Sequence, residues 1–260
     1  MNKYYCVFYT CLVTALLSTP ATEAHGHNYL PGDTLTVVAF DGLTLRAAPD
    51  VTRTKIRLLD TGEQVFVIDT LSVWPGDTLF GFAGRWVRVG TVQDATEGYV
   101  FDAFLSTLPL TNLPADQQLA SAAFEFGMQL PHVIADYAVR QFGPARCSVS
   151  YRNHEDGERA LAITIQPLSQ GHQLIKQQYH EGGSTELILT NVRPSEVYYL
   201  MRQLVRYAPQ ALLIDERALR RFPTYKDWDS CPVQIKDGLC VMRAYRTGVR
   251  RFSVVGIYPL

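Results

Sequence analysis

The chain has 260 residues, 47% hydrophobic and 19% charged, with a formal net charge of −1. It is long enough for two ordinary domains, too apolar for a disordered chain and too nearly neutral for bulk attraction to nucleic acid. Charge is unevenly spread, with 6 Lys/Arg against 10 Asp/Glu in residues 25–109 and 17 against 14 in residues 110–260. At the N-terminus, Lys3, an apolar run from Tyr4 to Leu17 and the small-residue stretch from Ser18 to Ala24 have the order of a secretory signal peptide, residues 1–24. The run is too short for a comfortable membrane span. Cleavage is expected after Ala24, or after Ala21, releasing a soluble protein to the periplasm or the cell exterior. Cleavage after Ala24 leaves a free amine on His25-Gly26-His27. That amine, two backbone amides and the His27 ring make a square-planar nitrogen set of the kind Cu(II) and Ni(II) prefer. The rival reading is a mobile start with two incidental histidines.

From Thr34 to Phe40 the chain is β-rich, and Asp41-Gly42 accepts the positive φ angles of a tight turn before Leu43 and Leu45. Pro49 and Asp50 end that strand. Ile56 and Leu58 alternate with polar residues on one side of the turn Asp60-Thr61-Gly62, and Val65 and Val67 do so on the other. Arg85 to Val89 continues the period of two. The opening Gly42-Leu43-Thr44-Leu45-Arg46-Ala47-Ala48-Pro49, the middle Trp86-Val87-Arg88-Val89 and the close Gly98-Tyr99-Val100 together resemble a bacterial SH3 (SH3b) domain over residues 29–108. Five short strands in about 80 residues fit a small, partly open SH3-like β-barrel, and the resemblance implies peptidoglycan peptides or other extracytoplasmic ligands as its usual targets.

Between Thr70 and Gly84 an insertion carries Trp74, Phe80 and Phe82 around Pro75-Gly76-Asp77, more aromatic surface than a connecting loop needs. Ligand is expected at the barrel edge between this insertion and the loop after Gly42. Trp74, Phe80 and Phe82 would stack on it, and Asp69 and Asp77 would meet its amines. The competing expectation is structural, with the insertion folded back so that its aromatics pack on Trp86 or on the second half of the chain. Of the two tryptophans, Trp74 is assigned to contact and Trp86 to the core.

Residues 109–114, with two prolines, read as a linker to an α+β domain over residues 115–260. A helix is expected from Asp116 to about Met128, and a second from Pro131, in its first turn, to Phe142. Hairpins follow around Asn153 to Gly157 and around Glu181 to Ser184. A helix then runs from Pro194 to about Tyr207, with Val197, Leu200, Met201, Leu204 and Val205 buried. A last strand pair turns at Thr247-Gly248-Val249. Consecutive hairpins with packed helices imply an antiparallel sheet covered on one face.

Three cysteines follow the signal. Cys231 and Cys240 close a short loop and are the expected disulfide, other pairings remaining open, while Cys147 sits in a strand-like run as a small hydrophobe. Cys147 with His172 or His180 has the residue types of a thiol hydrolase, but a strand is the wrong setting for a nucleophile that needs helix amides to lower its pKa. His154, Glu155, Asp156 and Glu158 read as a solvated turn. Arg202, Arg206, Arg217, Arg220, Arg221, Arg243, Arg246, Arg250 and Arg251 would grip polymer anions if they shared a face, and otherwise form an ordinary solvated surface. No cofactor, structural metal or nucleic-acid partner is expected. These features point to an exported, non-catalytic protein that binds peptidoglycan or an envelope partner. The alternatives are a wall hydrolase with a divergent catalytic half and a protein-interaction scaffold.

Overall fold

The computed structural model describes residues 29–70, 77–108, 123–143, 148–155, 159–179, 182–205, 212–215, 231–235 and 240–257. The expected signal segment, His25 and His27, Trp74, the linker, the helix start at Asp116, and Cys147, His180, Arg206, Arg217, Arg220 and Arg221 lie outside these residues. What is described is a mixed, strand-rich fold of antiparallel sheets with two α-helices. Neither helix is long and apolar enough to cross a membrane.

The N-terminal strands are β1 (Thr34–Val37), β2 (Leu43–Arg46), β3 (Lys55–Leu59), β4 (Gln64–Asp69), β5 (Asp77–Leu79), β6 (Phe82–Gly84), β7 (Trp86–Thr91), β8 (Glu97–Phe101) and β9 (Leu105–Ser106). All but β5 and β6 form one sheet in the order β3-β2-β8-β7-β4-β1-β9. Alternation puts Leu35, Val37, Leu45, Leu59, Val65, Val67, Val87, Val89 and Val100 on its buried side. Gly42 turns with φ +80°, and a Cβ there would lie 2.7 Å from the carbonyl oxygen of Leu59, so both conformation and space demand glycine. Two corrections follow. The sheet has seven strands where about five were expected, and among the described residues its edges β3 and β9 do not pair with each other, so it is open. The described part of the insertion, residues 77–84, is a hairpin of β5 and β6 that pairs with neither large sheet.

The rest of the chain folds as α1 (Ala123–Phe142), β10 (Val149–Glu155), β11 (Arg159–Pro167), β12 (Gln173–Tyr179), β13 (Gly182–Thr190), α2 (Pro194–Leu204), β14 (Leu212–Ile214), β15 (Val233–Ile235), β16 (Cys240–Gly248) and β17 (Arg251–Ile257). The eight strands make one antiparallel sheet, β10-β11-β12-β13-β17-β16-β15-β14, and α1 packs on β13 and β17. One continuous helix replaces the two expected, with Pro131 in its interior. Proline there removes one backbone bond and crowds the carbonyl four residues earlier, which belongs to Gly127, a residue free to adjust. Across from it Gly256 has no side chain: a Cβ would lie 2.8 Å from Ile134 Cδ1 and 3.1 Å from the Pro131 backbone, so helix and strand touch directly. Asn153, His154 and Glu155 are strand residues paired with Leu161, Ala160 and Arg159, because pairing carries the hairpin further than turn-prone side chains suggest. The short strands β14 and β15 had no detectable period. Cys231 and Cys240 are disulfide-bonded, Cα to Cα 5.7 Å, tying the approach to β15 to the start of β16.

The buried apolar residues of both sheets form a single cluster. Its joint is polar at the centre. Arg193, just before α2, reaches back to the segment Asp102–Leu105, with Nη1 3.2 Å from Asp102 Oδ2 and 2.8 Å from its carbonyl oxygen, and Nη2 2.6 Å from the Leu105 carbonyl. Glu196 Oε2 accepts from the Arg193 backbone N–H at 2.9 Å, one half of a capping box, and lies 3.5 Å from Arg193 Nε. Its Oε1 accepts from the Thr107 N–H at 2.6 Å, the Thr107 hydroxyl at 2.8 Å and the Ser106 hydroxyl at 3.2 Å. Asp102 also accepts from Tyr29 Oη at 2.8 Å and the Arg85 N–H at 2.7 Å. Burial alone would lower the Arg193 pKa, but Glu196 and Asp102 outweigh it and raise it. Truncating one member of such a buried set strands the other charges, so Arg193→Met is expected to cost about 3–5 kcal/mol in urea unfolding. Arg88→Met, which removes the exposed Arg88–Glu97 pair at 2.6 Å, is expected to cost about 0–1 kcal/mol. Equal losses would remove the central role assigned to Arg193.

Candidate functional site

A cleft of about 460 Å³ opens where the Asp41-Gly42 turn, β2, the β5–β6 hairpin and α2 meet. One wall is Phe40, Asp41, Thr44 and Arg46, extended by Val51 and Leu58. Leu79, Phe80 and Phe82 of the hairpin form the opposite wall, and Trp86, Phe101, Phe104, Tyr198 and Tyr199 close the floor. The rings interlock: Phe82 lies 4.9 Å from Tyr198, Phe40 5.6 Å from Tyr199, Trp86 5.8 Å from Phe101 and Phe80 5.9 Å from Phe104, centroid to centroid. Such tilted and edge-on contacts hold aromatic side chains in fixed orientations.

The hairpin explains how Phe80 comes to the rim. Leu79 pairs with Phe82, leaving a two-residue turn in which Phe80 and Gly81 have φ 52° and 84°. Two-residue hairpins favour turns with both central residues at positive φ, which glycine adopts freely and phenylalanine adopts at a cost of roughly 1–2 kcal/mol. Phe80 is also 78% exposed. Of the ten large apolar side chains exposed among the described residues, Phe40, Val51, Leu58 and Phe80 all line this cleft.

The structure therefore brings Phe80 and Phe82 of the expected contacts to one place, in different roles. Phe82 is 5% exposed and packs on Tyr198 and Tyr199, which is the fold-back anticipated as the competing arrangement, yet a cleft remains beside it. Trp86 is buried, as assigned. Asp69 is exposed at the end of β4 opposite Arg88 and does not line the cleft. Asp77 opens β5 opposite Gly84. Sequence reasoning missed Phe40, Asp41, Arg46, Val51, Leu58, Tyr198 and Tyr199. A signal existed for the tyrosines, since α2 is apolar on more than the single stripe expected, as a helix covered on several sides must be.

The described arginines do not gather on one face. Arg202 lies over the ring of Phe40 at 5.8 Å, Arg246 over Phe252 at 5.5 Å, and Arg250 meets Asn191 Oδ1 at 3.5 Å. Among the described residues no three His, Cys, Asp or Glu side chains are grouped closely enough to hold a metal ion.

His172 is buried beneath α1, its ring 4.2 Å from that of Phe142. Nδ1 accepts from the Thr190 N–H at 3.1 Å, which places the ring proton on Nε2, a buried atom without a hydrogen-bond partner among the described residues. Burial lowers the His172 pKa, opposed by the charge of Glu196. Between that lowered value and the unfolded value of about 6.5 the unfolded chain binds more protons, so this contribution is complete above the window and lost as pH falls through it. Thermal unfolding from about pH 7 to pH 5 is expected to show a falling midpoint. His172→Asn, whose Oδ1 can still accept from Thr190, should flatten that slope, and an unchanged slope would exclude His172 as its source.

No protein-family model, curated protein or solved structure matches this sequence.

Proposed function

We propose that this is an exported, non-catalytic binding protein whose N-terminal sheet is an SH3b-like module, and that the aromatic cleft holds a cell-wall peptide or another extracytoplasmic ligand. The observation that carries the reading is the cost of Phe80: a bulky residue sits in the left-handed region with its ring in water, at the rim of the cleft where exposed apolar side chains gather. The positive φ is unfavourable for a phenylalanine, and local strain of this kind concentrates at ligand clamps. The motif residues that resemble SH3b support the same view. Gly42 to Arg46 supplies the turn and strand of one cleft wall, and Trp86 its floor. The Cys231–Cys240 disulfide suits an oxidising compartment.

Co-sedimentation of the full mature chain with purified peptidoglycan tests the reading. Phe80→Ala is expected to weaken retention by roughly tenfold or more, as for a central aromatic anchor, while the thermal midpoint changes little, because alanine keeps the Cβ and with it the same positive-φ backbone. Retention that is unaffected by Phe80→Ala would place the wall-binding surface elsewhere. Failure of the unaltered protein to sediment, with a specific envelope protein captured through Phe80, would replace the wall ligand by a protein partner.

A further inference from the structure

Among the described residues that line the cleft, two on one wall are charged, Asp41 and Arg46, and they carry opposite charge. Asp41 is exposed and has no hydrogen-bond or ion-pair partner among the described residues. Arg46 uses Nη1 on the Arg53 carbonyl at 2.8 Å, and no carboxylate lies within ion-pair distance of it among the described residues. The neighbouring Asp50 commits Oδ1 to the Thr52 N–H at 2.7 Å and the Thr52 hydroxyl at 2.8 Å. Those bonds, ahead of Arg53 and Arg46, are what lower its pKa. Arg202 stands over the Phe40 ring at the Asp41 end but does not line the cleft. Asp41 and Arg46 are five residues apart along a turn and a strand, a separation of about 13–16 Å at the usual rise.

We infer that the cleft takes a short extended peptide with both ends free, its amine at Asp41, its carboxylate at Arg46 and its apolar side chains against Phe80, Leu58 and Val51. The inference rests on the reading of the cleft as a binding site. A fully extended peptide of four or five residues spans about 13–17 Å, which matches the separation of the two charges. β2 is paired with β3 along its length and meets β8 at Arg46 and Tyr99, so the proposed peptide is not an added strand of β2. It must lie across the face of β2, where the period of two puts Thr44 and Arg46 on the side opposite the buried Leu43 and Leu45. In this arrangement specificity comes from the ends and from apolar bulk. A guanidinium suits a terminal carboxylate, which it can meet with two parallel hydrogen bonds.

Calorimetric titration of the full chain at low ionic strength with the tetrapeptide Leu-Ala-Ala-Leu tests this, using free, N-acetylated, C-amidated and doubly capped forms. Acetylation should weaken binding about three- to tenfold in the native protein and have no further effect in Asp41→Asn. Amidation should do the same in the native protein and nothing further in Arg46→Gln. Phe80→Ala should weaken all four forms. If the capped peptide binds as tightly as the free one while Phe80→Ala still weakens it, the cleft stands and the assignment of its ends falls. If no form binds but wall material is still retained through Phe80, the peptide is the wrong ligand class for a real cleft. Binding of the peptides that ignores Phe80 would overturn the cleft itself.

Discussion

Arg193 is the residue on which the arrangement of the two sheets depends. Its guanidinium is enclosed by the carboxylate of Asp102, two backbone carbonyls and Glu196, with Tyr29 stacked beside it, its ring centroid 5.5 Å from the guanidinium carbon. Taking such a charge out of water is unfavourable by several kcal/mol unless every donor and acceptor is met, and here nearly all are. The geometry that satisfies them is narrow. A guanidinium is a rigid fork, so the segment Asp102–Leu105 and the first turn of α2 can meet it in one relative position only. A purely apolar contact of the same area would tolerate sliding.

That constraint reaches the cleft through α2. Glu196 is two and three residues from Tyr198 and Tyr199, so the helix turn that anchors the polar joint also presents both rings to the floor. Phe104, at the other side of the joint, lies 6.3 Å from Tyr199. The site is thus assembled from residues far apart in the chain: a turn at Asp41, a hairpin at Phe80 and a helix at Tyr198. The hairpin is the least supported of the three, being outside both large sheets. Phe82 supplies what backbone pairing does not, by burying its ring against the two tyrosines, while Phe80 sits in the turn at the rim.

Much of the N-terminal sheet was legible because period and turn chemistry agree there. Leu43 and Leu45 follow a dipeptide built for positive φ, and Val65 and Val67 follow Asp60-Thr61-Gly62, so local preference and tertiary burial point the same way. Legibility failed where tertiary context overrides local preference. Pro131 read as a helix start because an interior proline is costly, yet the helix runs through it, with Gly256 of β17 leaving room for its backbone. Asn153 to Glu155 read as a turn because those residues favour one, although cross-strand pairing holds them extended. The joint was illegible for a different reason. Glu196 and Thr107 are 89 residues apart, and nothing local to either marks it as the other's partner. The insertion was recognised as aromatic, but an aromatic residue suits a ligand site and a core equally, and only packing separates Phe80 from Phe82.

The cleft and the joint share α2, and this ties occupancy to architecture. A ligand lying between β2 and the hairpin rests on a floor that includes Tyr198 and Tyr199, so it touches groups from both halves of the chain at once. Anything that binds the assembled state and not the separated one stabilises assembly by mass action, to an extent set by ligand concentration relative to its dissociation constant. The buried charges and the ligand then act on the same equilibrium. The charges fix the relative position of the halves in the absence of ligand, and the ligand adds to that preference without having to create it. Preorganisation of this kind spares the ligand the cost of ordering its own site, so a small and mostly apolar cleft can bind usefully with only two charged contacts.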